Sequence, residues 1–163
     1  AKPRQPVMEM LDLQELVSEV TSVQSSVHEN SGIEISVSTE MVSMSLDRHF
    51  MIEILENLIR NAAQAMGDKG KIEVTLRRLS RQVQIVVADN GPGIDPSIRE
   101  RIFDLYFTSH EQGSGLGLSL STQMVSSMGG HLMLDDQPGL EGRGARFVIQ
   151  FSELSGESVR TSS

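Results

Sequence analysis

Asn57 and Asn61 stand four residues apart inside an apolar-periodic run, HFMIEILENLIRNAAQAM, at residues 49–66. At about 100° per residue, Glu53, Glu56, Asn57, Arg60, Asn61 and Gln64 share an arc of roughly 140°. Ile54, Leu55, Leu58, Ile59, Ala62, Ala63, Ala65 and Met66 fill the other side. A solvated helix face accounts for any one of the polar residues. It accounts poorly for two amides, because asparagine costs about half a kcal/mol against alanine in a helix and Lys or Glu serves a wet face better. Carbonyl oxygens one turn apart can converge on a hard cation, and Mg²⁺ accepts such neutral oxygens beside waters and phosphates.

Three glycine clusters form the second chemical signal: Asp89-Asn90-Gly91-Pro92-Gly93, Gly113-Ser114-Gly115-Leu116-Gly117-Leu118 and Gly142-Arg143-Gly144. Surface turns explain the first and third taken alone. The middle one places three glycines at alternate positions directly before an apolar helix. Bare backbone amides at a helix N-terminus make a phosphate cradle, and the helix dipole adds favourable potential. Neither common nucleotide motif is present. Gly70-Lys71 is followed by Ile72 and preceded by Ala65 where a phosphate loop needs glycine, and no cluster fits G-x-G-x-x-G. Asp89 ends an otherwise apolar strand, QVQIVVAD. It reads either as a turn-starting aspartate or as a partly buried carboxylate accepting from an exocyclic amine such as that of adenine. In the second case Gly91 and Gly93 let a flat ring approach the backbone.

Positioning these groups requires a particular set of elements. Residues 1–11, with two prolines and two basic residues, read as a linker from a missing upstream domain. Asp12-Leu13-Gln14-Glu15 fits a capping box, and Leu13, Leu16, Val17, Val20, Val23 and Val27 predict a helix over 12–29. Short strands are expected at 33–38 and 41–46, then a helix over 47–66 stopped by Gly67. Alternating strands follow at 71–78 and 82–89. Asp95-Pro96 opens a short helix over 96–102, residues 103–115 are irregular, and a helix covers 116–128 up to Gly129-Gly130. Strands at 131–136 and 144–151 finish a domain of residues 12–152, and 153–163 read as a disordered polar tail. This order favours hairpins over alternating β-α units. The expected fold class is therefore α+β: a two-layer sandwich with a mixed, largely antiparallel sheet and helices on one face.

Composition bounds the functions available. The 163 residues carry 14 Lys+Arg against 22 Asp+Glu, a formal charge of −8, and no cluster of basic residues able to neutralise a nucleic-acid backbone. No nucleic-acid partner is expected. With no cysteine, disulfides, thiolate zinc sites and a cysteine nucleophile are excluded. No apolar run approaches the roughly 18 residues that cross a bilayer, so this segment is not expected to contact a membrane directly.

Taken in order, the Asn-x-x-x-Asn helix, DNGPGI, FDLYF, GSGLGL and GRGARF resemble the ATP-binding catalytic domain of sensor histidine kinases. That family shares a superfamily and a Bergerat-type fold with DNA gyrase, the Hsp90 chaperones and the MutL mismatch-repair proteins. The resemblance covers nearly all of residues 12–151, and the segment between Gly93 and Gly113 looks like a short ATP lid of the nitrogen-regulation type. It implies ATP and Mg²⁺ as cofactors, with Asn61 as the metal ligand and Glu56 and Asn57 as catalytic candidates. Asp89 matches the residue that holds the adenine amino group. The nucleotide site would take Asn57, Arg60, Asn61, Asp89, Gly91, Gly93, Ile94, Phe107, Gly113, Gly115, Leu116, Gly117 and Leu118. Phe103 pairs with Phe107 in the phenylalanine box, and Gly142 and Gly144 form a last, more remote glycine box.

The implied activity is transfer of the γ-phosphoryl of ATP to a histidine on a dimerisation domain absent from this chain. Further implied partners are a response regulator acting through the parent kinase and a homodimer in the parent. The implied location is cytoplasmic, with a parent free to be membrane-anchored. Gln64 stands where many members carry a phosphate-contacting lysine, and Ala145 stands where many carry threonine. His28, His49, His110 and His131 do not fit the phospho-acceptor context. Two rivals are a gyrase- or Hsp90-type ATPase, whose glutamate would stand where Asn57 is, and a regulatory module that keeps the fold without productive ATP binding.

Overall fold

Aspartate starts both long helices. In the computed structural model, which describes residues 4–105, 107 and 117–152, Asp12 accepts from the Glu15 N–H at 3.1 Å and Asp47 from the Phe50 N–H at 3.0 Å. Each bond satisfies one of the donors left open at a helix N-terminus. The helices are α1 (Leu13–Val27) and α2 (Arg48–Met66). Between them run β2 (Gly32–Ser38) and β3 (Ser43–Leu46), and ahead of them lies β1 (Glu9–Asp12). After α2 come β4 (Lys69–Leu79), β5 (Gln82–Asp89), α3 (Gly117–Ser127), β6 (His131–Leu134) and β7 (Arg146–Ser152).

The main sheet has five strands in the order β2-β4-β5-β7-β6. Only β2 and β4 run parallel, and the other pairs are antiparallel. The β4–β5 hairpin turns through Ser80 and Arg81, with Ser80 at φ 44°. Alternation in β5 divides two environments. Val83, Ile85 and Val87 join Leu58, Ile59 and Val125 in one core beneath all three helices, whereas Val86 and Ala88 lie on the opposite face with Val148 and Leu140. The α+β sandwich with helices on one face is the expected one.

Two local expectations are corrected. The strands β2 and β3 do not pair with each other: β3 joins β1 in a separate antiparallel ribbon, Glu9 opposite Leu46, and β2 takes β4 as its parallel neighbour. The proline-rich approach therefore delivers a strand before residue 12. A single 3₁₀ turn, Arg99–Arg101, replaces the helix expected over 96–102. On α1, Leu13, Leu16, Val17 and Val20 are buried, but Val23 and Val27 are 52% and 67% exposed. They lie on the same helix face, so the core ends beneath the middle of α1. The polar tail at 153–163 lies outside the described residues.

Asp47 does more than cap α2. The residue is 1% exposed, and its side chain also accepts from the Val7 N–H at 2.7 Å and from the Arg4 guanidinium at 2.6 and 3.2 Å. Arg4 lies over the Phe50 ring at 4.5 Å. Burial pushes the Asp47 carboxyl up, but the hydrogen bonds from Arg4, Phe50 and Val7 outweigh it and hold the pKa down at about 2, from 3.8. A carboxyl whose folded pKa is depressed stabilises above its unfolded value and loses that contribution as pH falls through the folded one. Stability should therefore drop between about pH 4 and pH 2, and the drop should be smaller in Asp47→Asn. Asp47→Ala should cost about 2 kcal/mol in urea unfolding at pH 7, where a cap alone is worth about 1. A loss below about 0.5 kcal/mol would show that the cluster is ornamental.

Candidate functional site

The α2 stripe folds as its periodicity requires. Ile54, Leu55, Leu58, Ile59, Ala62 and Ala63 are buried, Glu53, Arg60 and Gln64 are exposed, and Glu56, Asn57 and Asn61 lie half-buried at the edge of the core. Gly67 ends the helix at φ 76°. Met66, in the last turn, packs against the turn after β5: a Cβ at Gly91 would lie 2.9 Å from Met66 Cγ. The C-terminal end of α2 and the DNGPG turn are thus one neighbourhood.

Asp89 closes β5 in a nearly complete backbone enclosure. It is 5% exposed, and its Oδ1 accepts from the Gly91 N–H at 2.8 Å and the Ala145 N–H at 3.2 Å. Its own N–H donates to the Ala145 carbonyl at 3.0 Å. Among the described residues both carboxylate bonds fall on Oδ1, which leaves Oδ2 as the atom able to receive a ligand's donor. Burial pushes the carboxyl above the usual carboxylate range, against the opposing effect of the Gly91 and Ala145 N–H groups. Gly144, at φ 81°, lies so close that any Cβ would overlap the Asp89 carbonyl and approach Oδ1 to 2.6 Å. Gly139 meets the same carbonyl from the neighbouring turn. Periodicity had no means of marking Gly139. Its only sequence signal is the Pro138-Gly139 pair, which reads as a turn.

The neighbouring Asn90 links three segments. Its Oδ1 accepts from the Lys71 N–H at 2.8 Å, and its Nδ2 donates to Glu141 at 3.3 Å, whose other oxygen meets Lys71 Nζ at 3.2 Å. The hydrogen bond to Lys71 lowers the Glu141 carboxyl below its usual range, and Lys71 is raised correspondingly by Glu141. Glu141 adopts a left-handed backbone, φ 58°, for which glycine is the usual residue.

Other expected positions divide clearly. Gly93 (φ 78°) abuts Gly144, and Ile94 and Leu118 pack partly buried against the core. Phe103 packs edge-on to Phe147 at 6.2 Å, and Phe107 lies under the Arg101 guanidinium at 5.0 Å. Gly142 has open space around it, so the last glycine box contributes contact through Gly144. Gly113, Gly115 and Leu116 lie outside the described residues, as does His110; His49 and His131 are exposed and His28 is partly buried at the end of α1. Ala145 carries no hydroxyl, yet its backbone brackets Asp89 on both sides.

The two asparagines separate in role. Asn57 Nδ2 donates to the buried Ser121 Oγ on α3 at 2.9 Å, and a Cβ at Gly117 would lie 2.5 Å from Asn57 Oδ1. The Asn61 side chain has no hydrogen bond to any described residue, nor do the side chains of Glu56 and Arg60. The convergence of both amides on one cation is thus reduced to one amide without a partner among the described residues, with the other engaged by α3.

Residues 46–155 match the family model described as histidine kinase-, DNA gyrase B- and HSP90-like ATPase. The signal transduction histidine-protein kinase AtoS of Escherichia coli is 30% identical over 91% of this chain, which spans 24% of that relative's length. Among solved structures, the nucleotide-free catalytic domain of the histidine kinase ThkA superposes with a TM-score of 0.80 at 28% identity, covering 90% of this chain and 96% of that one. Full-length ShkA, solved in complex with AMPPNP, superposes with a TM-score of 0.81 at 25% identity over 100% of this chain and 33% of that one. The carboxylate enclosed by glycines and the asparagine helix beside it therefore stand in a chain that belongs to the histidine kinase-, DNA gyrase B- and HSP90-like ATPase family, as an ATP-binding catalytic domain of the sensor histidine kinase kind.

Proposed function

We propose that this chain binds Mg²⁺-ATP and, within a longer protein, supports transfer of the γ-phosphoryl to a histidine on a separate dimerisation domain. A response regulator would be the next acceptor. The observation that carries the reading is Asp89, buried at the end of β5 with Oδ1 saturated by backbone N–H groups and Oδ2 left to a ligand. An adenine exocyclic amine supplies the matching donor, and Gly91, Gly93 and Ile94 form the wall a flat ring would lie against. Asn61, whose amide has no partner among the described residues, and Arg60, exposed one residue before it, would face the phosphate end. Asn61 would hold Mg²⁺, which when bound neutralises phosphate charge and orients the oxygens.

The chemical step needs positioning above all. A ring nitrogen lone pair forms the N–P bond as the γ-phosphorus to β-oxygen bond breaks, ADP departs with that electron pair, and the ring proton leaves to a base or water. Glu56, half-buried on the polar face of α2 and without a polar partner among the described residues, is the carboxylate assigned to this side. Asn57, the other catalytic candidate, acts as a fixed amide. A gyrase-type hydrolase needs a carboxylate at that place, and an amide cannot take a proton from water there.

The direct test is calorimetric titration with ATP in the presence and absence of Mg²⁺. Asn61→Ala should weaken Mg²⁺-ATP about tenfold, or about 1.4 kcal/mol, and metal-free ATP by less than about twofold. Equal losses for both ligands would remove Asn61 from the metal role.

A further inference from the structure

Ser121 occupies a position where a helix normally carries an apolar residue: fully buried on α3, between Met124 and Val125 of the core and the side of α2. Hydroxyls in helices commonly bond the carbonyl four residues back, as buried Thr21 does to Val17 at 2.7 Å and half-buried Thr122 to Leu118 at 2.8 Å. The Ser121 hydroxyl instead receives the Asn57 amide at 2.9 Å. Gly117 lies one turn earlier on the same face of α3, and its missing side chain leaves the room that Asn57 fills: a Cβ there would come within 2.5 Å of Oδ1 and 2.7 Å of Nδ2. A hydroxyl and a void on one helix thus form a seat for a single amide on the other.

We propose that Ser121 is a positioning residue for the phosphate end of the nucleotide, acting through Asn57. The seat fixes the distance between α2, which carries Asn61 one turn beyond Asn57, and the first turn of α3. Groups that must grip a polyphosphate from two elements need that spacing held to a fraction of an ångström, and it is the supporting shell that holds it. Ser121 has no exposed surface through which to contact a ligand itself. This rests on the assignment of Asn61 and α3 to the phosphate side and goes beyond it by naming what sets their separation.

The test measures adenosine and Mg²⁺-ATP affinities by calorimetry for the wild-type chain, Ser121→Ala, Asn57→Ala and the double variant, with thermal unfolding alongside. Ser121→Ala should weaken Mg²⁺-ATP about tenfold and leave adenosine within twofold. It should add less than twofold in the Asn57→Ala background, because the two side chains act as one unit. Gly117→Ala, which keeps the serine but fills the seat, provides a second variant should Ser121→Ala fold poorly, with the same selective loss expected. Equal loss of both ligands would show a purely structural role, and additive losses would show that Ser121 does not act through Asn57; either result, or no loss at all, overturns the proposal. If the wild-type chain binds neither ligand, the site assignment fails together with everything resting on it. Wild-type binding with no selective loss in the variants sinks the positioning role alone.

Discussion

Asp89→Asn should weaken ATP, ADP and adenosine alike by about 100-fold while leaving the fold as stable as before or slightly more so. The Gly91 and Ala145 N–H groups both point at Oδ1, so in the variant the amide oxygen must stay there and its NH₂ replaces Oδ2. A donor would then face the donor of the adenine ring. Losing a hydrogen bond to a charged group costs about 1.5–3 kcal/mol, roughly 10- to 150-fold in affinity, and the facing donors place the effect in the upper part of that range. Stability moves the other way because burial raises the Asp89 pKa. A carboxyl whose pKa is higher folded than unfolded takes up a proton on folding, so its contribution is most favourable at low pH and is lost as pH rises through the raised value. At neutral pH the ionised group is a net cost to the fold, and the neutral amide relieves it. As pH is lowered, adenosine affinity in the wild type should begin to fall while still above the ordinary carboxylate range, because protonation removes the ionised acceptor. Calorimetry at several pH values, with thermal unfolding of both proteins, checks each part. Nucleotide affinity within threefold of wild type in the variant would show that the ring is read elsewhere.

Gly139→Ala should destabilise the domain by about 3 kcal/mol and weaken adenosine binding as well. Its φ is negative, −74°, so left-handed strain plays no part. A methyl group there would overlap the Asp89 carbonyl and stand 2.6 Å from the Ala145 carbonyl, both of which are backbone atoms that cannot swing aside. The 139–145 segment must then move off β5, and it carries the Ala145 N–H that holds Oδ1. Overpacking of this kind costs about 1–3 kcal/mol where side chains can adjust, and the rigid backbone here sets it at the high end. Gly142→Ala is the control. It sits at φ 73° in open space, so it should cost about 1 kcal/mol from backbone strain and leave adenosine affinity unchanged. Urea unfolding and adenosine titration separate the two variants; equal costs would mean that the contact at Gly139 relaxes freely.

The elements that depend on neighbours along the chain were legible in the sequence. Asp12 and Asp47 start helices because a short carboxylate side chain reaches back to the third N–H, and Gly67 ends one because only glycine takes its backbone angles cheaply. The segregated faces of α2 and the alternation of β4 and β5 survive unchanged because each reports the environment of a single element. Pairing partners were less legible. The adjacent strands β2 and β3 invited a hairpin, yet β3 is taken by β1 and β2 by β4, a choice decided by the sheet's whole arrangement. Val23 and Val27 continue the stripe of α1 correctly and still lie in water, since periodicity says which face is apolar and not how far the partner surface extends.

The candidate site shows the same division. The order of asparagine helix, Asp89 turn and glycine clusters places this chain in its family, because residue types and their spacing are read along the chain without knowing which segments meet. What only the folded chain decided is which groups meet: Gly139 and Ala145 around Asp89, Ser121 against Asn57, and Glu141 bridging Lys71 and Asn90 across residues far apart in sequence. Spacing along a chain fixes the direction of a side chain within its own element. The partner that side chain finds depends on how separate elements pack, and packing is a property of the assembled core.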